Sequence, residues 1–342
     1  MSNITPLQLR RRFLKIVATT AGLWGLGLTG AIAQTGKAPE QLRIGYQKSA
    51  VNLVILKQQG ALEKRFPNTK ITWAEFPAGP QLLEGLAVGS LEFGLTGDSP
   101  PVFAQSAGKD LLYVGAEPPK PDSSAVLVLG DSPIKNLAGL KGKKIALQKG
   151  SSAHYLLVRA VEKAGLSWND IQPIYLAPAD ARAAFERKSV DAWAIWDPFY
   201  AATELAIKPR VLATGRDLSS NNSFYLASKP FVTQHEPTLL VLLQELTRAD
   251  GIAQNNRKEA IKLISDFSGL DAGVVSLFLQ RRPASPVGPL SAATVADQQR
   301  VADAFFKLGL IPKPVKVADI VWKSGAPPRS GLTAASPSRG RH

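Results

Sequence analysis

From residue 41 onward the chain switches between two hydrophobic periods. Short alternating or wholly apolar runs suit strands, and stretches with apolar residues three and four apart suit helices. Residues 42–46, 71–76, 91–96 and 111–116 read as strands, separated by helices over 53–59, 79–88 and 101–107. Such a βαβ succession predicts a parallel sheet with helices on both faces, and ligands in that architecture lie beyond the carboxyl ends of the strands. A proline-rich bend at 117–121 opens a second series, with strands at 125–129, 143–148, 171–176 and 192–196 and an extended segment at 210–213. Helices at 136–140, 152–164, 179–188 and 197–207 lie between them. An extended segment at 223–227 returns toward the first series, and residues 238–310 are almost entirely helical. The pattern predicts an α/β protein of two similar lobes, joined by two crossovers and enclosing a cleft. Residues 41–124 form the first part of lobe 1, 125–222 lobe 2, and 223–322 the completion of lobe 1 with the C-terminal helices. Residues 323–342 read as a disordered tail.

Polar residues gather where the strands end. Residues 76–98, FPAGPQLLEGLAVGSLEFGLTGD, form a turn, an amphipathic helix, a strand and a glycine-bearing strand end. Gly79, Pro80 and Gln81 begin the helix, where the missing N–H of proline costs nothing, and Leu82, Leu83, Leu86 and Val88 supply its apolar face until Gly89 stops it. Gly97 and Asp98 break the strand just before Pro100 and Pro101. Unpaired backbone donors collect at such junctions and favour a small anion. Gly79, Gln81, Thr96 and Gly97 are candidate contacts there, while Asp98, also a candidate of the site, is assigned to orienting the backbone or a partner side chain, or to capping the next helix. Gln47 follows the first strand and offers an amide toward the cleft, with Lys48 adding charge.

The second lobe has its own helix entrance at Gly150, Ser151, Ser152 and His154. Either serine can cap that helix. Two hydroxyls plus N–H groups after a glycine exceed a minimal cap, and can hold two oxygens of an oxyanion with the helix dipole adding about 0.5 kcal/mol. His154, one turn inside, suits packing or an auxiliary donor role. In the strand 192–196, alternation sends Trp193 into the core and leaves Trp196 at the carboxyl end as an apolar wall or indole donor. Asp197 before Pro198 suits an N-cap better than an acid catalyst.

The formal net charge of +14 invites a nucleic-acid function, but four of those charges precede residue 34 and four follow Trp322, leaving +6 in between. A dispersed excess of that size is a solvated surface that helps attract an anion, with no nucleic-acid partner implied. The absence of cysteine excludes disulfides, thiolate catalysis and cysteine metal sites. His235-Glu236-Pro237 fails the H-E-x-x-H spacing, and no G-x-S-x-G elbow or phosphate loop occurs. No catalytic residue, metal ligand set or cofactor is therefore assigned. At the N-terminus, Arg10-Arg11-Arg12-Phe13-Leu14-Lys15, an apolar run and Ala31-Ile32-Ala33 form the three parts of an export signal over residues 1–33. The basic block resembles a twin-arginine signal, with cleavage expected after Ala33. A G-x-G-x-x-G spelled by Gly25, Gly27 and Gly30 has no strand before it and carries no dinucleotide meaning.

Seven segments carry a family resemblance. They are LRIGYQK from Leu42, FPAGPQLLEGL from Phe76, TGDSPPVFAQSAG from Thr96, VGAEPPKP from Val114, LKGKKIALQKGSSAH from Leu140, PADARAAF from Pro178 and DAWAIWDPFY from Asp191. Together, over residues 41–322, the chain resembles the periplasmic aliphatic-sulfonate-binding proteins of ABC transporters. The resemblance implies a type II periplasmic binding fold, with two Rossmann-like lobes, two crossover strands and a central cleft. It also implies a non-enzymatic monomer that closes around an alkanesulfonate for sulfur acquisition and delivers it to an inner-membrane ABC permease driven by a separate ATPase. A sulfonate is ionised throughout the physiological pH range, so it needs donors and no general base. Ser151 and Ser152, with Gln47 and the Thr96-Gly97 strand end opposite, suit its three oxygens. Related carriers for taurine, nitrate or a thiamine-precursor pyrimidine are the alternative; a ligand amine would recruit Asp98 or Glu117. The fold also has catalytic relatives among thiamine-pyrimidine synthases, but nothing here meets their need for a nucleophile, base and oxyanion site.

Overall fold

The computed structural model describes residues 37–324. The export signal assigned to residues 1–33, and the tail beyond residue 324, lie outside the described residues. The first series consists of β1 (Gln41–Tyr46), α1 (Val51–Gln58), α2 (Ala61–Arg65), β2 (Lys70–Glu75), α3 (Gly79–Ala87), β3 (Phe93–Gly97), α4 (Ser99–Ser106) and β4 (Leu111–Glu117). The second consists of β5 (Ser124–Val128), β6 (Lys144–Leu147), α5 (Ser152–Lys163), β7 (Gln172–Tyr175), α6 (Pro178–Glu186), β8 (Ala192–Trp196), α7 (Phe199–Ile207) and β9 (Arg210–Thr214). Then follow β10 (Ser223–Ser228), α8 (Lys229–Gln234), α9 (Glu236–Asn255), α10 (Arg257–Ser268), α11 (Ala272–Arg281) and α12 (Ala292–Lys307).

These elements make two five-stranded sheets, ordered β2-β1-β3-β10-β4 and β7-β6-β8-β5-β9. β1 runs parallel to β2 and β3, and β6 parallel to β7 and β8, as the βαβ pattern requires. The two crossover strands depart from this parallel pattern. β10 runs antiparallel between β3 and β4, and β5 antiparallel between β8 and β9. The reason is the crossover itself: a strand arriving from the other lobe enters at the cleft, where the parallel strands end, and must run against them. The result is the two-lobed type II periplasmic binding fold.

Alternation explains how each sheet is covered on both faces. In β10, Tyr225 and Ala227 join Leu42, Ile44 and Phe93 in one buried cluster, while Phe224 and Leu226 join Leu82, Leu86, Tyr113 and Phe305 in the other. In β8, Trp193 and Ile195 pack with Phe185, and Ala192 and Ala194 pack with Leu156 and Leu157. The apolar face of α3 is narrower than its sequence implied, because the helix ends at Ala87 and Val88 beyond it is 73% exposed. The helical C-terminal region is also interrupted: after α11 the chain leaves helical geometry, and Gly288 exchanges backbone hydrogen bonds with Ala116 at 2.9 and 3.1 Å. The lobes touch directly, since Tyr155 and Val158 of α5 belong to the same buried cluster as Phe305 of α12.

Candidate functional site

The carboxyl ends of β1, β3, β6 and β8 and both crossovers converge on a cavity of about 70 Å³. This exceeds the roughly 10–15 Å³ that one water requires. Gln47, Gly79, Gly97, Ser151, Ser152 and Trp196, all singled out from the sequence, border it. Gln47 is oriented by donating its amide to the Leu95 carbonyl at 3.1 Å. Gly79 lies so close to Pro100 and Thr96 that a Cβ there would meet them at 2.6 and 3.1 Å. Gly97 faces the other lobe, where an added Cβ would stand 1.8 Å from the Ser152 hydroxyl oxygen.

The entrance of α5 differs from a simple cap. Ser151 occupies the N-cap position, yet its hydroxyl donates to the Gln148 carbonyl at 2.8 Å instead of accepting from the first turn. The N–H of Ser151 is taken by the same carbonyl and that of Gly150 by Nδ1 of His154 at 3.2 Å. The first-turn N–H groups left without a bond among the described residues are therefore those of Ser152 and Ala153, and of these two residues Ser152 borders the cavity. An uncapped helix start of this kind attracts negative charge.

Five sequence-selected residues do not border the cavity. Thr96 points to the opposite face of β3 from Leu95 and Gly97, is fully buried, and donates to the Gly97 carbonyl at 3.1 Å. Gln81 lies within α3 with Oε1 buried and unpartnered among the described residues. Gly150 shapes the turn at φ +72°. Asp98 sits at the N-cap position of α4 but its side chain does not cap that helix; it accepts from the Ser99 hydroxyl at 2.9 Å, and Gln298 holds its backbone carbonyl at 2.6 Å. Burial raises the Asp98 carboxyl to about 6, against hydrogen bonds from Ser99 and Ser152. His154, foreseen as a possible donor, is enclosed by aromatic rings and held to about 3, chiefly by burial.

The cationic edge of the cavity was not foreseen. Lys120, from the first crossover, and Arg282, just after α11, both border it. Behind them, away from the cavity, lie the carboxylates of Glu117 and Asp250. Lys120 donates to Glu117 at 2.6 Å and to Ser223 at 2.8 Å; Arg282 donates to Asp250 at 2.6 Å and to Asn52 at 2.9 Å. Tyr225 adds a bond to Glu117 at 2.8 Å. Burial favours protonation of Glu117, but the charges of Lys120 and Arg282 outweigh it and hold the carboxyl below its usual range. The network is balanced in charge yet polarised, with its cations toward the cavity. Lys120 stood in plain view inside EPPKPD, but no local pattern marks Arg282.

Trp196, Leu95 and Phe278 supply apolar surface to the same cavity. Asp197 also borders the cavity. Pro198, not Asp197, holds the N-cap position of α7, but from one residue before it one Asp197 carboxylate oxygen accepts from the Ala201 N–H in the first turn at 2.9 Å, and from Arg281 at 3.2 Å. Burial raises this carboxyl to about 7 despite Arg281, which lessens its repulsion of an anion near neutral pH. Among the described residues no group of three or more His, Asp or Glu side chains is arranged to hold a metal ion.

Comparison with known proteins places these features in context. Residues 75–260 match the family described as NMT1/THI5 like. A putative aliphatic sulfonates-binding protein of Escherichia coli K12 is 48% identical over 303 residues, covering 89% of this chain and 94% of its own. A putative aliphatic sulfonates-binding protein of Bacillus subtilis 168 is 35% identical, covering 92% of this chain and 95% of its own. Among solved structures, the alkanesulfonate-binding protein SsuA of Xanthomonas axonopodis pv. citri bound to MOPS is similar at a TM-score of 0.82 and 51% identity, over 84% of this chain and all of that one.

Proposed function

The chain belongs to the NMT1/THI5-like family and, within it, to the aliphatic sulfonate-binding proteins, and from that membership and its cavity we propose that it is the solute-binding component of an ABC importer that captures aliphatic sulfonates. The observation that carries this proposal is the pairing of an anion-holding edge with an apolar wall in one enclosed space. Lys120, Arg282 and the first-turn donors of α5 offer positive charge and N–H groups to a sulfonate, while Trp196, Leu95 and Phe278 meet its carbon chain. The headgroup is permanently ionised, so nothing in the site has to move a proton onto or off it, and the function needs no catalytic step. Closure of one lobe on the other retains the ligand. Export by the signal over residues 1–33, cleavage after Ala33, a periplasmic location, a monomeric state and transfer to an inner-membrane permease with a separate ATPase complete the proposal.

A thermal-shift panel of short alkanesulfonates, taurine, sulfate, nitrate and a thiamine-precursor pyrimidine tests it. A sulfonate present at 100 times its dissociation constant is expected to add about 2.7 kcal/mol of stability. A clear response to another class with none to any sulfonate would overturn the assignment.

A narrower test concerns Ser152, whose hydroxyl borders the cavity, lies against Gly97 of the facing lobe and bonds to the Asp98 carboxyl. Ser152→Ala is expected to leave the ligand-free melting temperature within about 2 °C of wild type and to weaken ethanesulfonate binding roughly tenfold in calorimetric titration, the scale of one hydrogen bond to a charged group. Loss of melting temperature without loss of affinity would reduce the serine to a structural role.

A further inference from the structure

His154 sits where the two lobes press together, one helical turn beyond the cavity. Its imidazole is surrounded by four rings. Trp168 and Tyr175, at centroid distances of 5.1 and 5.8 Å, come from its own lobe; Phe103 of α4 and Phe305 of α12, at 6.1 and 5.1 Å, come from the other. Phe103 and Phe305 also pack edge to face at 4.9 Å, so the contribution of lobe 1 is a preformed aromatic pair. No side chain of the cluster borders the cavity.

The nitrogens fix the charge state this arrangement accepts. Nδ1 receives the N–H of Gly150 at 3.2 Å, so it carries no hydrogen and the imidazole is neutral, with its hydrogen on Nε2. Nε2 is buried with no partner among the described residues. A second proton would have to displace the Gly150 bond, and the positive charge would lie among rings with no carboxylate to receive it. The titratable groups facing the imidazole are Lys149, whose charge opposes protonation, and Tyr175, which is neutral in the range concerned; α4 and α12 present Phe103 and Phe305. Any rotation that parts the lobes along this flank must unstack Phe103 and Phe305 and admit water to the ring.

We propose that His154 is a proton-sensitive latch between the lobes: it must be neutral for them to close, so acidification favours the open form and weakens ligand retention. The sign follows from linkage. In the closed form the imidazole is held to about 3, whereas in an open, hydrated form it returns toward its ordinary 6.5. Closure is therefore unaffected above about pH 6.5 and is opposed progressively below it, by up to tenfold per pH unit. The device couples proton concentration to release at a site that does not touch the ligand.

The proposal rests on the sulfonate-carrier function, and the test separates the two. Calorimetric titration with ethanesulfonate, which stays anionic throughout, is run from pH 8 to pH 5 on the full protein and on His154→Phe, which keeps an aromatic ring but cannot titrate. The ratio of wild-type to variant affinity is expected to be constant above pH 7 and to fall roughly tenfold by pH 5.5. Asp98 and Asp197 titrate in this range in both proteins, so the difference between the curves isolates the imidazole. His154→Gln, which retains an acceptor for Gly150, serves as the second variant if the phenylalanine form does not fold. Binding by both proteins at pH 7.5 with the same fall in acid would overturn the latch and leave the carrier function standing. No ethanesulfonate binding by either protein at pH 7.5 would overturn the carrier function and the latch with it.

Discussion

Arg282→Met is expected to lower the thermal midpoint of the ligand-free protein by about 10 °C. Arg282 is almost wholly buried, and its guanidinium serves Asp250, Asn52 and, at 3.6 Å, Glu117. Methionine fills part of the space but leaves two buried carboxylates short of a cation. Removing one partner of such a buried pair costs about 3–5 kcal/mol, and each kcal/mol moves the midpoint about 2–4 °C in a protein of this size class. The loss has a pH signature. Glu117 is held below its ordinary 4.5 in the wild type, so the stability it contributes is present above that value and disappears as pH falls through its lowered one. The gap between wild type and variant should therefore narrow toward acid. Melting followed by circular dichroism at pH 7.5 and pH 4 checks both statements; a midpoint shift under 2 °C at pH 7.5 would show that the network does not hold the fold together.

Gly97→Val is expected to abolish ligand capture while sparing the fold. The added Cβ would stand 1.8 Å from the Ser152 hydroxyl oxygen and 3.2 Å from its Cβ. The hydroxyl can rotate away, but the Cβ cannot without moving α5, and valine's two further methyl groups extend the clash. The clash exists only when the lobes are closed, because Gly97 ends β3 in one lobe and Ser152 begins α5 in the other. Backbone conformation does not object, since Gly97 is not among the glycines with positive φ. Titration with ethanesulfonate should show at least a 100-fold loss of affinity, which corresponds to about 2.7 kcal/mol, with the ligand-free midpoint within about 3 °C of wild type. Retained affinity would mean that the lobes hold a ligand without approaching this closely.

Some of this architecture was legible in the residues and some was not. The strands and helices follow from local period, and β8 spans the five residues its alternation predicts. Gly97, Ser151, Ser152 and Trp196 come to the cavity because strand ends and helix starts are marked locally and the fold gathers those ends at one place. What local pattern does not mark is the direction of a strand that enters from another lobe, hence the antiparallel β5 and β10. It also does not mark partners brought together from afar: 230 residues separate Arg282 from Asn52, and nothing near either announces the other. Thr96 does not border the cavity for a simpler reason. At a strand end a shift of one residue reverses the face, and β3 turns Leu95 and Gly97, not Thr96, toward the ligand space.

The position of β10 also sets an order of assembly. As the chain is made from its N-terminus, β5 to β9 become available by Thr214 and can complete their sheet while the earlier one still lacks its fourth strand in spatial order. β3 and β4 have no bond to each other and cannot pair until residues 223–228 slide between them. The lobe synthesised first is therefore the one that finishes last, and a chain halted before Ser223 holds two exposed strand edges of the kind that invite aggregation.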